Sequence, residues 1–213
     1  MLWLLSLCAL LTACAPAEPP TTTTGAPVVV CIDAGHGGDD PGANGATFTE
    51  KEITLAVALR LEAALRRQGF AVVMTRTDDT MLSLHSRCRS ANEAGAAAFV
   101  SLHVNSAADA EIGGSEVFYS SENKQDSDFA RAVYEGMLAA VPLRGRGVKP
   151  NDFFVLVHTE APAVLCELAF VTREAERQML LDPACQEQWA QGICQGLCRW
   201  FSVPFRAGSS ILP

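Results

Sequence analysis

The sequence is poor in positive charge, with 16 Lys and Arg against 24 Asp and Glu and a formal net charge of −8. Proteins that bind nucleic acid neutralise phosphates with clustered Lys and Arg, so this balance excludes that class of partner. The sequence has no apolar run of the about 20 residues that cross a bilayer as a helix. It also lacks an internal repeat and the compact H-E-x-x-H zinc signature. Any metal site must therefore draw on residues far apart in the chain.

The first 13 residues are almost wholly apolar and predict a signal peptide, although no Lys or Arg precedes them. Their end, Leu11-Thr12-Ala13-Cys14, resembles a bacterial lipoprotein box, in which the chain is cut before the cysteine and the cysteine is acylated. We therefore expect an exported protein of the cell envelope, held at a membrane through lipidated Cys14. Secretion after cleavage of an ordinary signal peptide is the alternative.

Composition divides the rest of the chain into three parts. Residues 14–26 are rich in Pro and Thr and predict an extended linker. Residues 27–205 contain the apolar residues needed for one compact domain, and residues 206–213 form a short tail. Six cysteines lie in this exported part, an even number that permits disulfides without defining their pairing. Cys31 and Cys166 lie in apolar runs and indicate core residues.

Strand-like and helix-like segments alternate along the domain. We predict strands at residues 27–33, 70–75, 97–103, 114–119, 153–157 and 163–168, and helices at residues 50–68, 82–94, 126–140, 173–181 and 185–201. Alternation of this kind is typical of an α/β fold. We expect a single domain with a mostly parallel, twisted sheet and helices on both faces.

Four polar residues stand where strands end or helices begin. His36 follows the first strand in a glycine loop, His103 ends the third strand, and Glu167 lies near the end of the last. Glu50 opens the first helix. Ligands of open α/β sheets collect beyond the carboxyl ends of the strands, so we expect these side chains to share one site.

Two imidazoles and one carboxylate form a known catalytic zinc set, and a further carboxylate can move protons during amide hydrolysis. Plainer interpretations exist for each residue. A histidine after a strand is commonly a hydrogen-bonded loop residue, and Glu50 at a helix N-terminus is favoured by the helix dipole alone. Glu167 is harder to explain, because its apolar neighbours predict burial and an unpaired buried carboxylate is costly.

The stretch Ile32-Asp33-Ala34-Gly35-His36-Gly37-Gly38, followed by Asp40-Pro41-Gly42-Ala43, resembles the opening motif of the zinc-dependent N-acetylmuramoyl-L-alanine amidases. Further blocks follow in the order of that family: Glu50-Lys51, Thr75-Arg76, Arg87, Ala91-Asn92, Ser101-Leu102-His103-Val104-Asn105, Gly145-Arg146-Gly147-Val148 and Pro162-Ala163-Val164-Leu165-Cys166-Glu167-Leu168.

The resemblance implies that His36, Glu50 and His103 bind one Zn²⁺ per chain and that Glu167 is the catalytic carboxylate. It implies hydrolysis of the amide between N-acetylmuramic acid and L-alanine in peptidoglycan. Arg87 and Asn105 are candidates for substrate binding, with structural support as the alternative.

We expect a monomer. The resemblance also implies that some members of the family carry a long helical insertion that plugs the zinc site. Residues 106–151 are too short for both the expected strand-helix unit and such a plug, so we expect an enzyme that is not self-inhibited. Two other functions stay open: a peptidoglycan-binding module that does not cut, and a zinc peptidase that acts on free peptides.

Overall fold

The computed structural model describes residue 21, residues 26–122 and residues 124–206. The predicted signal peptide, Cys14 and almost all of the predicted linker lie outside these residues. Within the described ranges, no helix has the length and apolar character required to cross a membrane.

The described chain alternates strands and helices, as the sequence predicts. The elements are, in order, β1 (Val29–Ala34), β2 (Asn44–Gly45), β3 (Phe48–Thr49), α1 (Glu50–Arg67), β4 (Ala71–Met74), α2 (Leu84–Glu93), β5 (Ala98–Asn105), β6 (Ser115–Tyr119), α3 (Lys124–Ala140), β7 (Gly145–Pro150), α4 (Phe154–Val157), β8 (Ala163–Phe170), α5 (Glu174–Leu181) and α6 (Pro183–Trp200).

The main sheet has six strands in the order β4-β1-β5-β8-β6-β7. Strands β4, β1, β5 and β8 are parallel, whereas β6 runs antiparallel to β8 and β7 runs parallel to β6. The prediction of a mostly parallel sheet is confirmed. Because β1, β5 and β8 are parallel neighbours, their carboxyl ends meet at one edge of the sheet.

The two faces of the sheet bury different sets of side chains. Val117 and Cys166 belong to the larger core, which α1, α3 and α6 cover. Phe118 and Leu165 point to the opposite face and join a smaller cluster with α2 and α4. This alternation is the period of two of a β-strand. Helices on both faces of one domain are therefore confirmed.

The strand predicted at residues 153–157 is wrong, because this segment forms the helix α4. The amides of Val157 and His158 donate to the carbonyls four residues earlier, those of Phe153 and Phe154. A short apolar run does not distinguish a strand from a buried helical turn, which is how the prediction failed. The structure places a strand, β7, at residues 145–150 instead, where glycine and charged residues hide the pattern.

The six described cysteines are free thiols. Cys31 and Cys166 are buried in the core, as their apolar surroundings predict. Burial raises the pKa of the Cys31 thiol to about 12, which keeps it protonated and unreactive at neutral pH.

Candidate metal centre and active site

His36 stands directly beyond β1 with a left-handed backbone, at φ 62°. This conformation costs a residue with a Cβ roughly 1–2 kcal/mol, so the surroundings must hold it. Arg76 Nη2 donates to the carbonyl of Gly35 at 2.9 Å, and Arg87 Nη2 donates to the carbonyl of His36 at 2.7 Å. Both guanidinium groups are buried. The two buried arginines therefore fix the backbone of the loop that carries the imidazole.

Glu50 is the first residue of α1, and two backbone amides from outside the helix hold its carboxylate. Its Oε2 accepts from the amide of Ala43 at 2.8 Å, and its Oε1 accepts from the amide of Val104 at 3.0 Å. The residue is only 4% exposed. Glu50 therefore has one orientation, with Oε1 directed toward the edge where β1 and β5 end.

Two imidazole nitrogens meet Glu50 Oε1. His36 Nε2 lies 3.1 Å from it and His103 Nδ1 lies 3.0 Å from it, and one ligand atom from each residue lies within 4.8 Å of the other two. Burial disfavours the Glu50 carboxylate, but hydrogen bonds with His103 and His36 outweigh burial and hold its pKa well below its usual range. Burial likewise acts to lower the pKa of His36, yet its contacts with Glu50 and Asp40 leave that pKa raised.

Two glycines provide the space in which these side chains meet. A Cβ on Gly35 would lie 2.4 Å from Cε1 and 2.6 Å from Nε2 of His103. A Cβ on Gly42, whose φ is +64°, would lie 2.5 Å from Glu50 Oε2 and 2.7 Å from His36 Cδ2. Carbon atoms do not approach that closely, so the ligand set requires glycine at both positions.

Glu167 completes the group from the neighbouring strand. It is the register partner of His103 across the β5–β8 pair. Its Oε2 is buried and has no hydrogen-bond partner within the described chain. Burial outweighs the attraction of His103 and raises the pKa of Glu167 to about 7. A buried carboxylate oxygen without a partner is costly, which makes Glu167 a candidate for ligand binding or for chemistry.

The donor set fits a zinc ion. Two imidazole nitrogens and one carboxylate oxygen, with room for a fourth ligand, are typical of catalytic zinc. The other ring nitrogen of His36, Nδ1, lies 2.8 Å from Asp40 Oδ2, which is the contact that orients metal-binding histidines. The residues present therefore suit the metal that the sequence predicts.

The site opens into a cleft of about 480 Å³ on the face covered by α2 and α4. His36, His103 and Glu167 line it. The lining also includes Met81, Leu84 and Phe153, which are exposed large hydrophobic residues. Helix α3 packs with the core on the other face of the sheet, so it does not cover the cleft.

The two further candidates, Arg87 and Asn105, make contacts with the protein. Arg87 Nη1 donates to Asp33 Oδ1 and to the carbonyl of Ala34, both at 2.7 Å. Asn105 Nδ2 donates to Glu116 Oε1 at 2.7 Å. Arg87 lies at the bottom of the cleft, and Asn105 lies at the end of β5.

Sequence reasoning missed two acidic residues of this region. Asp40 enters the sequence argument only as part of the motif that resembles the amidase family, although its spacing of four from His36 is a usable signal. Glu116 was overlooked within a strand, where the argument applied to Glu167, an acidic residue among apolar neighbours, would have found it. Glu116 is 3% exposed and stands opposite Glu167 in the β6–β8 pair.

The sequence profile of the N-acetylmuramoyl-L-alanine amidases matches residues 30–199, which is most of the chain. The chain belongs to this amidase family. Among curated relatives, the amidase is 36% identical over 208 residues to the uncharacterised protein YqiI of Bacillus subtilis, covering 94% of this chain and 98% of YqiI. It is 33% identical over 174 residues to the B. subtilis N-acetylmuramoyl-L-alanine amidase LytC, covering 81% of this chain and 35% of LytC.

Solved structures show the same fold. The catalytic domain of the amidase CwlV from Bacillus (Paenibacillus) polymyxa var. colistinus superposes with a TM-score of 0.80 at 36% identity, covering 83% of this chain and 99% of that one. The CwlD amidase of Clostridioides difficile, solved in complex with the GerS lipoprotein, gives 0.77 at 30% identity, covering 83% of this chain and all of that one. The site residues therefore stand on the scaffold of an amidase catalytic domain.

Proposed function

We propose that this amidase hydrolyses the amide between N-acetylmuramic acid and L-alanine in bacterial peptidoglycan, with one Zn²⁺ held by His36, Glu50 and His103. The observation that carries the proposal is the partnerless Oε2 of Glu167, buried beside three converging metal-ligand atoms. A structural carboxylate would be paired, whereas a catalytic one must stay available to the substrate.

In this mechanism Glu167 is the group that moves the proton. When bound, Zn²⁺ supplies Lewis-acid chemistry, polarising the scissile carbonyl and activating water. Glu167 Oε2 takes the proton of the attacking water and delivers it to the leaving nitrogen of L-alanine. The raised pKa of Glu167, about 7, suits a group that must both accept and release a proton near neutral pH.

Supporting residues keep the ligands in place. We assign structural support rather than substrate binding to Arg87 and Asn105, because their polar atoms are used by Asp33, Ala34, His36 and Glu116. Asp40 orients the ring of His36. The open cleft supports an enzyme that its own chain does not inhibit.

Location and assembly remain part of the proposal. A cell-wall substrate lies outside the cytoplasm, so the predicted signal peptide, linker and lipid anchor at Cys14 would hold the enzyme where its substrate is. The Cys14→Ser variant is expected to move from the membrane fraction to the soluble fraction of cells. Retention of that variant in the membrane would contradict a lipid anchor. We expect the protein to act as a monomer.

Digestion of purified peptidoglycan tests the reaction. The zinc-loaded protein, a chelated sample and the Glu167→Gln variant are compared, with Glu93→Gln as the control because that side chain is 73% exposed. Free stem peptides that begin with L-alanine, identified by mass, are expected from the protein and the control. Loss of the Glu167 carboxylate should slow release by about 100-fold or more, with one zinc still bound.

Two outcomes would favour the rival functions. Zinc bound at one equivalent without release of any peptide would favour a peptidoglycan-binding module. Cleavage within free stem peptides, with intact wall left uncut, would favour a zinc peptidase.

A further inference from the structure

A second group of charges lies beside Glu167, on the side away from the zinc ligands. Glu116 is almost fully buried and ion-pairs with two cations of β7. Arg146 Nε lies 3.2 Å from Glu116 Oε2, and Lys149 Nζ contacts the same oxygen. The mechanism of amide hydrolysis uses neither cation.

The three side chains together carry a net charge of +1. One carboxylate faces two cations, and its other oxygen is occupied by the amide of Asn105. The cations are not enclosed, since the side chain of Lys149 is 40% exposed and that of Arg146 is 26% exposed. Arg146 donates through Nε to Glu116 and through Nη1 to the carbonyl of Gly113, and its guanidinium lies over the ring of Phe170. Its Nη2 has no hydrogen-bond partner within the described chain and can bind another acceptor.

The position of the two cations follows from the sheet. Strands β5, β8, β6 and β7 are successive neighbours, so His103, Glu167, Glu116 and the cations of β7 form a row across the sheet. Neighbouring strands lie about 4.8 Å apart, which places β7 about 10 Å from β8. Phe118 shares the face of Glu116 and belongs to the cluster under α4, whereas α3 covers the other face. The row therefore begins at Glu167 in the cleft and extends over β6 and β7 on the same face of the sheet.

A stem peptide fits this row. Its L-alanine nitrogen must lie at Glu167, where the amide breaks, and two extended residues span about 7 Å. The carboxyl group of the residue after L-alanine then comes within side-chain reach of β7. Arginine and lysine at that distance suit a carboxylate, which they bind through charge-assisted hydrogen bonds.

We propose that Arg146 and Lys149 form a subsite for the first free carboxylate of the stem peptide, the one on the residue that follows L-alanine. The proposal rests on the function argued above and adds a direction to it. The peptide lies over β6 and β7, on the side of Glu167 away from the proposed zinc ligands. Buried Glu116 is a positioning residue that holds the two cations.

The test uses two synthetic muramoyl peptides that differ only in that group, a carboxylate in one and a carboxamide in the other. The zinc-loaded protein should hydrolyse the carboxylate substrate with about tenfold higher kcat/KM. Lys149→Met and Arg146→Gln should each lower that ratio, by loss on the carboxylate substrate alone. Arg131→Gln is the control, since Arg131 is an exposed cation of α3 on the opposite face. It should leave the ratio unchanged.

Equal kcat/KM on both substrates, or an unchanged ratio in both variants, would overturn the subsite. Thermal unfolding of each variant identifies a loss that comes from misfolding, and Lys149→Met is the milder change because its side chain is the more exposed. If the protein hydrolyses neither substrate, the failure belongs to the proposed function. Calorimetric binding of the two product peptides then tests the subsite without turnover, and equal affinities would reject it.

Discussion

Replacing Asp40 by Asn removes one charge beside the proposed zinc ligands and keeps the shape of the side chain. Asp40 accepts two hydrogen bonds, one through Oδ2 in its contact with His36 Nδ1 at 2.8 Å and one through Oδ1 from the amide of Gly42 at 3.1 Å. An asparagine has a single acceptor oxygen, so it satisfies one of these donors and turns an NH₂ group toward the other. Either orientation weakens the support of the imidazole or of the turn that carries it.

The size of the effect follows from the role of such contacts. Loss of a partner that orients a metal-binding histidine typically lowers metal affinity by about 10- to 100-fold. That range corresponds to about 1.4–2.8 kcal/mol. Asp40 is half exposed, so we expect Asp40→Asn to lie at the lower end of the range, near tenfold. The remaining ligand atoms of Glu50 and His103 are unchanged, so zinc should still bind at one equivalent.

Competition with a chromogenic chelator measures the zinc affinity of the wild type, of Asp40→Asn and of Asp39→Asn. The last is the matched control, because Asp39 is the adjacent acidic residue and is exposed. The thermal midpoint of the metal-free protein should move by only a few degrees, since a single surface hydrogen bond is lost. Equal zinc affinity in all three proteins would refute the idea that Asp40 orients His36.

Three further changes probe the same centre. Gly35→Ala should abolish zinc binding in a chelator titration, because the added Cβ meets the ring of His103 at 2.4 Å, and normal affinity would contradict that packing. Zinc affinity should fall by about tenfold per pH unit as the pH drops through the raised pKa of His36, since the ligand must lose a proton to bind. A pH-independent affinity would exclude that coupling. Arg87→Met should lower the free energy of unfolding by about 3–5 kcal/mol, because buried Asp33 loses its cation. A stable variant with a raised KM would instead assign Arg87 to substrate binding.

Local sequence signals were sufficient for most of the scaffold and for naming the proposed site residues. The β-branched run of β1 and the helical period of α1 are strong patterns because one periodicity decides burial along each segment. His36 and Glu50 were found as residues that follow or open such elements. Glu167 was found because a carboxylate among apolar neighbours is costly unless it has a function.

Other features depended on contacts that no local pattern encodes. The segment at residues 153–157 has the composition of a strand, yet it forms α4. Its apolar side chains pack against β8 and α2, and a helical turn buries them there as a strand would elsewhere. The antiparallel direction of β6 depends on the path of the chain after Asn105. Strand β7 is short of apolar residues and is stabilised by its pairing with β6 and its contact with α3.

The sequence by itself identified the residues proposed to carry the chemistry, because metal ligation and proton transfer demand particular functional groups at the ends of particular elements. Only the tertiary structure decided how those groups are oriented and what stands next to them. The register of β6 and β8 sets Glu116 opposite Glu167 from a separate segment of the chain, and the conformation of the loop after β1 turns Asp40 toward His36. Register and loop conformation are set by packing across the whole sheet, so a residue's position along the chain does not reveal them.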